Sequence, residues 1–252
     1  MSNFPIHRRT LLMGATSLLA RTKIVQAAPS PIRAIAFDGF PIFDPRSVPM
    51  LARDMLGERG ELLAAQWSNK IFSYSWLLTA AGHYQDFRTL ADTTLSYTAH
   101  AMDLTLDDNT RQRLINQYES LDIWPDVKPA LERLRTANIR LAFLSNLGAT
   151  TLMANMNRNG IASYFEAPIS TDRVKRFKPA PEAYKMAVDA FGLPREQIGF
   201  AAFGGWDAIG ATWFGYRTAW VNRLGLPAEP FDIRPEITSR GMEGVLTLAG
   251  LT

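Results

Sequence analysis

From Pro31 onward, short apolar runs that end in polar residues alternate with longer stretches of helical periodicity. Ile32–Phe37 stops at Asp38, Ile139–Leu144 at Ser145-Asn146, Phe165–Ile169 at Ser170-Thr171-Asp172, and Ile198–Phe203 at Gly204-Gly205-Trp206-Asp207; Arg217–Val221 is a further run. Continuous apolar runs of this length predict strands buried on both faces. Between them Val127, Ala130, Leu131 and Leu134 recur at helical spacing, and Pro181–Phe191 carries proline at its start and Gly192 at its end, the punctuation of a helix. The alternation predicts an α/β fold: a Rossmann-like parallel sheet with helices on both faces.

About eighty residues separate the first strand from the helix near Pro125, too many for a loop. Leu51–Leu56, Leu62–Leu78, Phe87–Ala101 and Asn109–Leu121 predict four helices there, with Gly57-Glu58-Arg59-Gly60 and Gly82 as breaks. Such a block needs its own small core. It reads as a helical cap, residues 47–122, inserted into an α/β core of residues 28–46 and 123–252. The tail after Arg223, rich in Pro and Gly, reads as a surface wrap with little chemistry.

The first residues obey a different pattern. Arg8-Arg9 precede an apolar stretch, Leu11–Ala20, and small residues follow at Val25-Gln26-Ala27-Ala28. Basic, apolar and small segments in that order predict a signal peptide over residues 1–27, exported by the twin-arginine route to the periplasm. The leader also alters the charge balance. The chain has 27 Lys+Arg against 24 Asp+Glu, and the leader holds Arg8, Arg9, Arg21 and Lys23 with no acids, which leaves 23 against 24. A near-neutral body gives no reason to expect nucleic acid as a partner. No apolar run in the body reaches the ~18 residues of a membrane span, so no membrane is expected after leader removal. The absence of cysteine excludes disulfides and thiol nucleophiles.

In a parallel sheet, ligands sit beyond the carboxyl ends of the strands. Asp38, Ser145-Asn146, the segment leading to Lys178, and Asp207 all fall there. A strand-end carboxylate near a lysine and backbone N–H groups stays ionised and can attack carbon or phosphorus. Ser145-Asn146 precede a helix expected near Ala149-Thr150, whose first N–H groups can hold an anion. Lys178 opens Lys-Pro-Ala-Pro, a turn able to aim the ammonium inward. Each residue alone has a plainer explanation: a helix cap for Asp38, a turn for Ser145-Asn146, a solvated lysine, and the N-cap of a helix over Ala208–Phe214 for Asp207. Their common position at strand ends favours a shared site.

The order of these motifs resembles the type II L-2-haloacid dehalogenases of the haloacid dehalogenase superfamily. Leu144-Ser145-Asn146, Ser170-Thr171-Asp172, Lys178-Pro179-Ala180-Pro181-Glu182-Ala183-Tyr184 and Trp206-Asp207 before Gly210-Ala211 carry the likeness, which spans Ile32 to Asn222. The stretch from Trp67 to Tyr74-Ser75-Trp76 is similar to that family's first cap helix. The resemblance implies that Asp38 displaces halide from a small (S)-2-haloacid and becomes an ester. Water directed by Asp207 then attacks the Asp38 carboxyl carbon and releases a 2-hydroxy acid of inverted configuration. It implies that Lys178 steadies the nucleophile, that Ser145 and Asn146 bind substrate and halide, that Tyr184 shapes the site, and that Phe40 and Trp206 join the substrate-binding set. No cofactor and no metal are expected, and a homodimer is the assembly usual in that family. Phosphatases of the superfamily carry a second Asp two residues after the nucleophile; here that residue is Phe40.

Several positions depart from the family pattern. Pro41 stands near its Gly-Thr pair in a segment one residue shorter, so the threonine hydroxyl that supports the nucleophile is missing. Ser68 replaces the cap arginine that receives halide, and Ala202 and Gly204 replace a Ser and an Asn. A charged donor at a leaving anion contributes about 2–4 kcal/mol to the transition state. Lys70, two residues on along a helix, faces elsewhere. These changes motivate one alternative, a non-catalytic binding protein that retains the pocket; a second, a phosphatase of the superfamily, keeps the fold and has Phe40 against it. His83 and His100 make no metal spacing, and Trp67, Phe72, Tyr74 and Trp76 read first as cap core, with one or two rings on the pocket.

Overall fold

The computed structural model describes residues 31–251; the leader expected over residues 1–27 lies outside them. Strands β1 (Ala34–Phe37), β2 (Arg140–Ser145), β3 (Ile169–Ser170), β4 (Ile198–Ala202), β5 (Arg217–Val221) and β6 (Ile237–Ser239) form one sheet in the order β3-β2-β1-β4-β5-β6. All neighbours pair in parallel. The chain winds outward in one direction from β1 to β3 and in the other from β4 to β6, so a crevice opens beyond the carboxyl ends of β1 and β4.

Alternation along the strands splits the core between the two faces of the sheet. Ile35, Phe37, Leu141 and Phe143 pack on one face, toward the cluster that includes α5 (Val127–Thr136), α6 (Ala149–Arg158) and α9 (Glu243–Leu248). Ala34, Ala36, Ala142 and Leu144 face the other, with α7 (Pro181–Phe191) and α8 (Gly205–Phe214). Small residues on the second face let those helices lie close to the sheet.

Between β1 and α5 the chain forms α1 (Ser47–Leu56), α2 (Glu58–Ala81), α3 (Phe87–Ala101) and α4 (Asp108–Asn116), the last followed by a single tight turn, Gln117–Glu119. The break expected over Gly57-Glu58-Arg59-Gly60 shrinks to Gly57, whose φ of 66° turns the chain so that α2 starts at Glu58. Gly60 lies within α2, where a Cβ would stand 1.9 Å from the Ala52 carbonyl oxygen; its glycine lets α2 close onto α1.

Two further expectations need correction. The third strand does not begin at Phe165. Pro168 removes a ladder donor ahead of Ile169, and Phe165 turns its ring onto Phe143 at 4.5 Å. The tail is not a wrap: it returns as β6 beside β5 and as α9, which buries Val245, Leu246 and Leu248. Polar residues between its apolar ones hide that pattern. Among the described residues no helix is long and apolar enough to cross a membrane.

Candidate active site

Asp38 is the first residue past β1, and its N–H continues the ladder to the Ala201 carbonyl at 2.9 Å. The chain then folds back on itself, the N–H groups of Ile42 and Phe43 donating to the Gly39 carbonyl at 3.3 and 2.9 Å. Gly39 permits this beside the end of β2, since a Cβ there would lie 3.1 Å from Leu147 and 3.4 Å from the Ser145 hydroxyl. The Phe40 N–H faces Asp38 Oδ2 at 3.4 Å, and the Phe40 ring meets Phe203 edge-on at 5.8 Å.

Lys178 joins the strand ends. Its Nζ donates to Asp38 Oδ1 at 2.8 Å and to Asp207 Oδ2 at 2.6 Å, above the Phe200 ring at 5.2 Å. Asn146 Oδ1 accepts the Lys178 N–H at 2.9 Å, and Ser145 Oγ accepts that of Leu147 at 3.2 Å. On the far side, the Tyr184 hydroxyl donates to Asp207 Oδ1 at 2.7 Å. Gly210 makes room for that tyrosine, because a Cβ there would stand 2.5 Å from the hydroxyl oxygen. Asp207 does not cap its helix: α8 starts at Gly205, Gly204 is the cap, and Asp207 lies in the first turn with its carboxylate aimed into the crevice.

One ammonium thus serves two carboxylates, and the ionised triad carries a net charge of −1. The Lys178 and Asp207 side chains are each 1% exposed and that of Asp38 is 14% exposed, so Asp38 is the member open to a reactant. Burial pushes the Asp207 carboxyl up; Lys178 pulls it down and Asp38 pushes it up again, leaving it at about 6. Burial pulls the Lys178 ammonium down, but Asp207 and Asp38 outweigh it and hold the group above the ordinary lysine range. Burial and then Asp207 raise the Tyr184 phenol well above its usual range, so it stays a donor.

Aromatic rings from α2 stand over the crevice. Trp206 meets Phe72 at 5.4 Å and Trp76 at 5.5 Å, edge to face. Trp67 instead ties α2 to α3, its indole N–H donating to the Ala91 carbonyl at 2.8 Å. Ser68 is half-buried, and the Lys70 ammonium lies over the rings of Tyr74 and Tyr97 at 5.2 and 4.6 Å. Gly204 has a steric reason: a Cβ there would stand 2.8 Å from Trp206 Nε1. Ala202 is buried against the second face of the sheet.

Other residues around the site were not singled out from the sequence. Arg176 donates to the Thr79 carbonyl and the Phe177 N–H to the Thr79 hydroxyl at 3.1 Å, while Tyr84 donates to Asp172 and packs on Phe177 at 5.1 Å. These contacts fasten the segment before Lys178 to the end of α2. Trp124 and Arg223 donate to the carbonyls of Phe40 and Pro41 at 3.0 and 2.8 Å. Asp172 belongs to the Ser170-Thr171-Asp172 motif, and Arg223 directly follows Asn222; the partners of both come from distant segments.

The donor set does not suit a hard dication. Both oxygens of Asp207 are taken by Lys178 and Tyr184, Phe40 supplies no side-chain oxygen, and among the described residues no three His, Asp or Glu side chains converge as metal ligands.

The haloacid dehalogenase-like hydrolase family matches residues 47–214. Haloacetate dehalogenase H-2 of Moraxella sp. (strain B) is 34% identical over 218 residues, covering 86% of this chain and 97% of the relative. The (S)-2-haloacid dehalogenase of Pseudomonas sp. (strain YL) is 32% identical over 218 residues, 86% of this chain and 94% of its own. Among solved structures, one L-2-haloacid dehalogenase superposes with a TM-score of 0.85 at 34% identity, over 88% of this chain and all of that one. The L-2-haloacid dehalogenase of Xanthobacter autotrophicus with chloropropionic acid covalently bound gives 0.78 at 27% identity, over 86% of this chain and 98% of that one.

Proposed function

Because this chain belongs to the haloacid dehalogenase-like hydrolase family, we propose that it hydrolyses small (S)-2-haloalkanoic acids to 2-hydroxy acids through an ester on Asp38. The observation that carries the reading is the Lys178 ammonium held between Asp38 and Asp207 at 2.8 and 2.6 Å. Lys178 occupies one oxygen of Asp38, which leaves Oδ2 to attack the halogen-bearing carbon from behind. The carbon–oxygen bond forms as the carbon–halogen bond breaks, and halide departs with the electron pair.

The ester removes the negative charge of Asp38, and Lys178 then faces Asp207 alone. Asp207, buried and oriented by Tyr184, takes a proton from water as the water oxygen bonds to the Asp38 carboxyl carbon. Collapse passes the remaining water proton to the departing alkoxide, which releases the 2-hydroxy acid and restores the Asp38 carboxylate with one solvent oxygen in it, and Asp207 gives its proton up to solvent. The helical block serves as a cap, and its Phe72 and Trp76 against Trp206 keep bulk water from the displacement. In this reading Ser145, Asn146 and Phe40 receive the acid and its leaving group, supported by their position just past β1 and at the end of β2. A phosphatase reading has less support, given Phe40 and the occupied oxygens of Asp207.

The test is halide release from each enantiomer of 2-chloropropionate, followed by mass spectrometry of the enzyme after turnover in oxygen-18 water. One enantiomer is expected to release halide and to place the label in Asp38, and Asp38→Asn to release none. Turnover that leaves Asp38 unlabelled would sink the mechanism, and tight binding of the acid without halide release would favour the non-catalytic reading. Residues 1–27 are proposed to direct export to the periplasm, on the strength of Arg8-Arg9 and the apolar and small segments after them, and the mature chain is proposed to pair as a homodimer.

A further inference from the structure

The turn that follows Asp38 is weakly closed by its own bonds. Pro41 has no N–H to contribute, one of the two bonds to the Gly39 carbonyl is 3.3 Å long, and the N–H facing Asp38 Oδ2 stands off at 3.4 Å. Lys178 fixes Oδ1 of Asp38 at 2.8 Å, but the turn's own bonds leave the peptide that faces the attacking oxygen, Oδ2, loosely held, and misplacement by an ångström costs about 100-fold in rate. Whatever firms that peptide acts on the turn from outside.

The grip comes from residues distant in the chain. Residues 42–44 run beside 122–124: Phe43 bridges Ile123, the Asp44 N–H donates to Asp122 at 2.8 Å, and the Trp124 N–H to Ile42 at 3.1 Å. The Trp124 indole N–H then takes the Phe40 carbonyl at 3.0 Å. Arg223, just past β5, takes the next carbonyl, Pro41, with Nη2 at 2.8 Å. Its side chain is 6% exposed, lies over the Trp124 ring at 4.8 Å, and pairs with Asp126, Nη1 to Oδ2 and Nη2 to Oδ1, both at 2.9 Å. Asp126 also accepts the Met242 N–H at 2.8 Å, and a Cβ at Gly241 would stand 2.4 Å from it. The carboxylate is therefore fixed by the chain leading into α9.

We propose that Arg223 is a positioning residue for the nucleophile. With Trp124 it pins two successive carbonyls of the turn, orienting the adjoining Phe40 N–H toward Asp38 and transmitting the rigidity of the C-terminal β5–α9 unit to the reacting carboxylate. Only a planar fork reaches Asp126 and the Pro41 carbonyl together; a lysine ammonium is a point donor. The inference rests on the aspartyl-ester reading above for its kinetic arm and is independent of it for its structural arm.

The test uses the full mature chain with Arg223→Ala, Arg223→Lys and the milder Trp124→Phe, which leaves a smaller aromatic ring in place and removes the indole N–H. In the kinetic arm, the burst of halide release per folded molecule is expected to fall about 10- to 100-fold in Arg223→Ala. KM should stay within about threefold, Arg223→Lys should recover little, and added guanidinium should restore part of the rate. In the structural arm, amide exchange across 39–43 is expected to quicken at least about tenfold in Arg223→Ala and Trp124→Phe, while β2 and β4 keep their protection. Wild-type burst rate per folded molecule together with unchanged exchange across 39–43 overturns the proposal. If the wild-type chain releases no halide at all, the haloacid reading fails, and the exchange arm alone decides the role of Arg223.

Discussion

At the scale of the residue, the chemistry turns on how three buried charges are shared. In the proposed reaction Asp207 must be ionised to take a proton from water, and burial has moved its carboxyl to about 6. The ester removes the Asp38 charge that helps raise this group, so hydrolysis is expected to fall only on the acid side of about 6, giving kcat an acidic limb below that value. The Tyr184 hydrogen bond favours the ionised form, so Tyr184→Phe should move that limb to higher pH. A pH–kcat profile of the two proteins checks the direction, and a limb unmoved or shifted to lower pH would contradict it. The linkage to stability has the matching sign. A carboxyl whose folded pKa lies above its unfolded value near 3.8 binds more protons when folded, so its contribution declines as pH rises from about 4 to about 6. Lys178, held above the ordinary lysine value near 10.5, contributes stability throughout that range and loses it only as pH rises through its own folded value. Asp38, Lys178, Tyr184 and Asp207 could be named from the sequence because strand ends and short motifs mark them. That Asp38 and Asp207 share the Lys178 ammonium could not be read there, since 140 residues separate Asp38 from Lys178.

At the scale of the element, α2 does most of the organising. It closes on α1 at Gly60, ties to α3 through Trp67, stands over Trp206 with Phe72 and Trp76, and holds the Lys178 segment with Thr79. Gly60→Ala is the sharpest test of the first contact. Helix propensity alone would reward alanine by about 0.8–1 kcal/mol, whereas a Cβ 1.9 Å from the Ala52 carbonyl oxygen forces the helices apart. A net loss of about 1–3 kcal/mol is expected in denaturant unfolding; a gain would show that α1 and α2 are not packed this closely. Periodicity revealed α2 and α3 well because each shows an apolar face to the block's core. It misjudged Gly60, because a glycine that permits helix contact looks in sequence like one that ends a helix.

At the scale of the whole molecule, charge and topology divide the chain. The basic excess lies in residues 1–27, and the body is left with 23 basic against 24 acidic side chains. If those residues act as a twin-arginine leader, cell fractionation should find a shortened chain in the periplasm, and Arg8→Lys/Arg9→Lys should keep the full-length chain inside. Retention of the unaltered chain in the cytoplasm would remove the export proposal. The C-terminal region, read from its prolines and glycines as a wrap, is instead a sixth strand and a buried helix. Through Asp126 and Arg223 it also reaches the nucleophile turn.

The sequence by itself determined the class of fold, the strand ends that face the crevice, and the family resemblance. Those depend on local periodicity and on short motifs, which survive reading one residue at a time. Only the tertiary structure decided which groups share Lys178, which glycines mark contact rather than a break, and that the C-terminal region, through Asp126 and Arg223, touches the turn after Asp38. Each of these is a hydrogen bond or a steric fit between segments far apart in the chain. Their energies depend on separations of a few ångströms, which linear order does not encode.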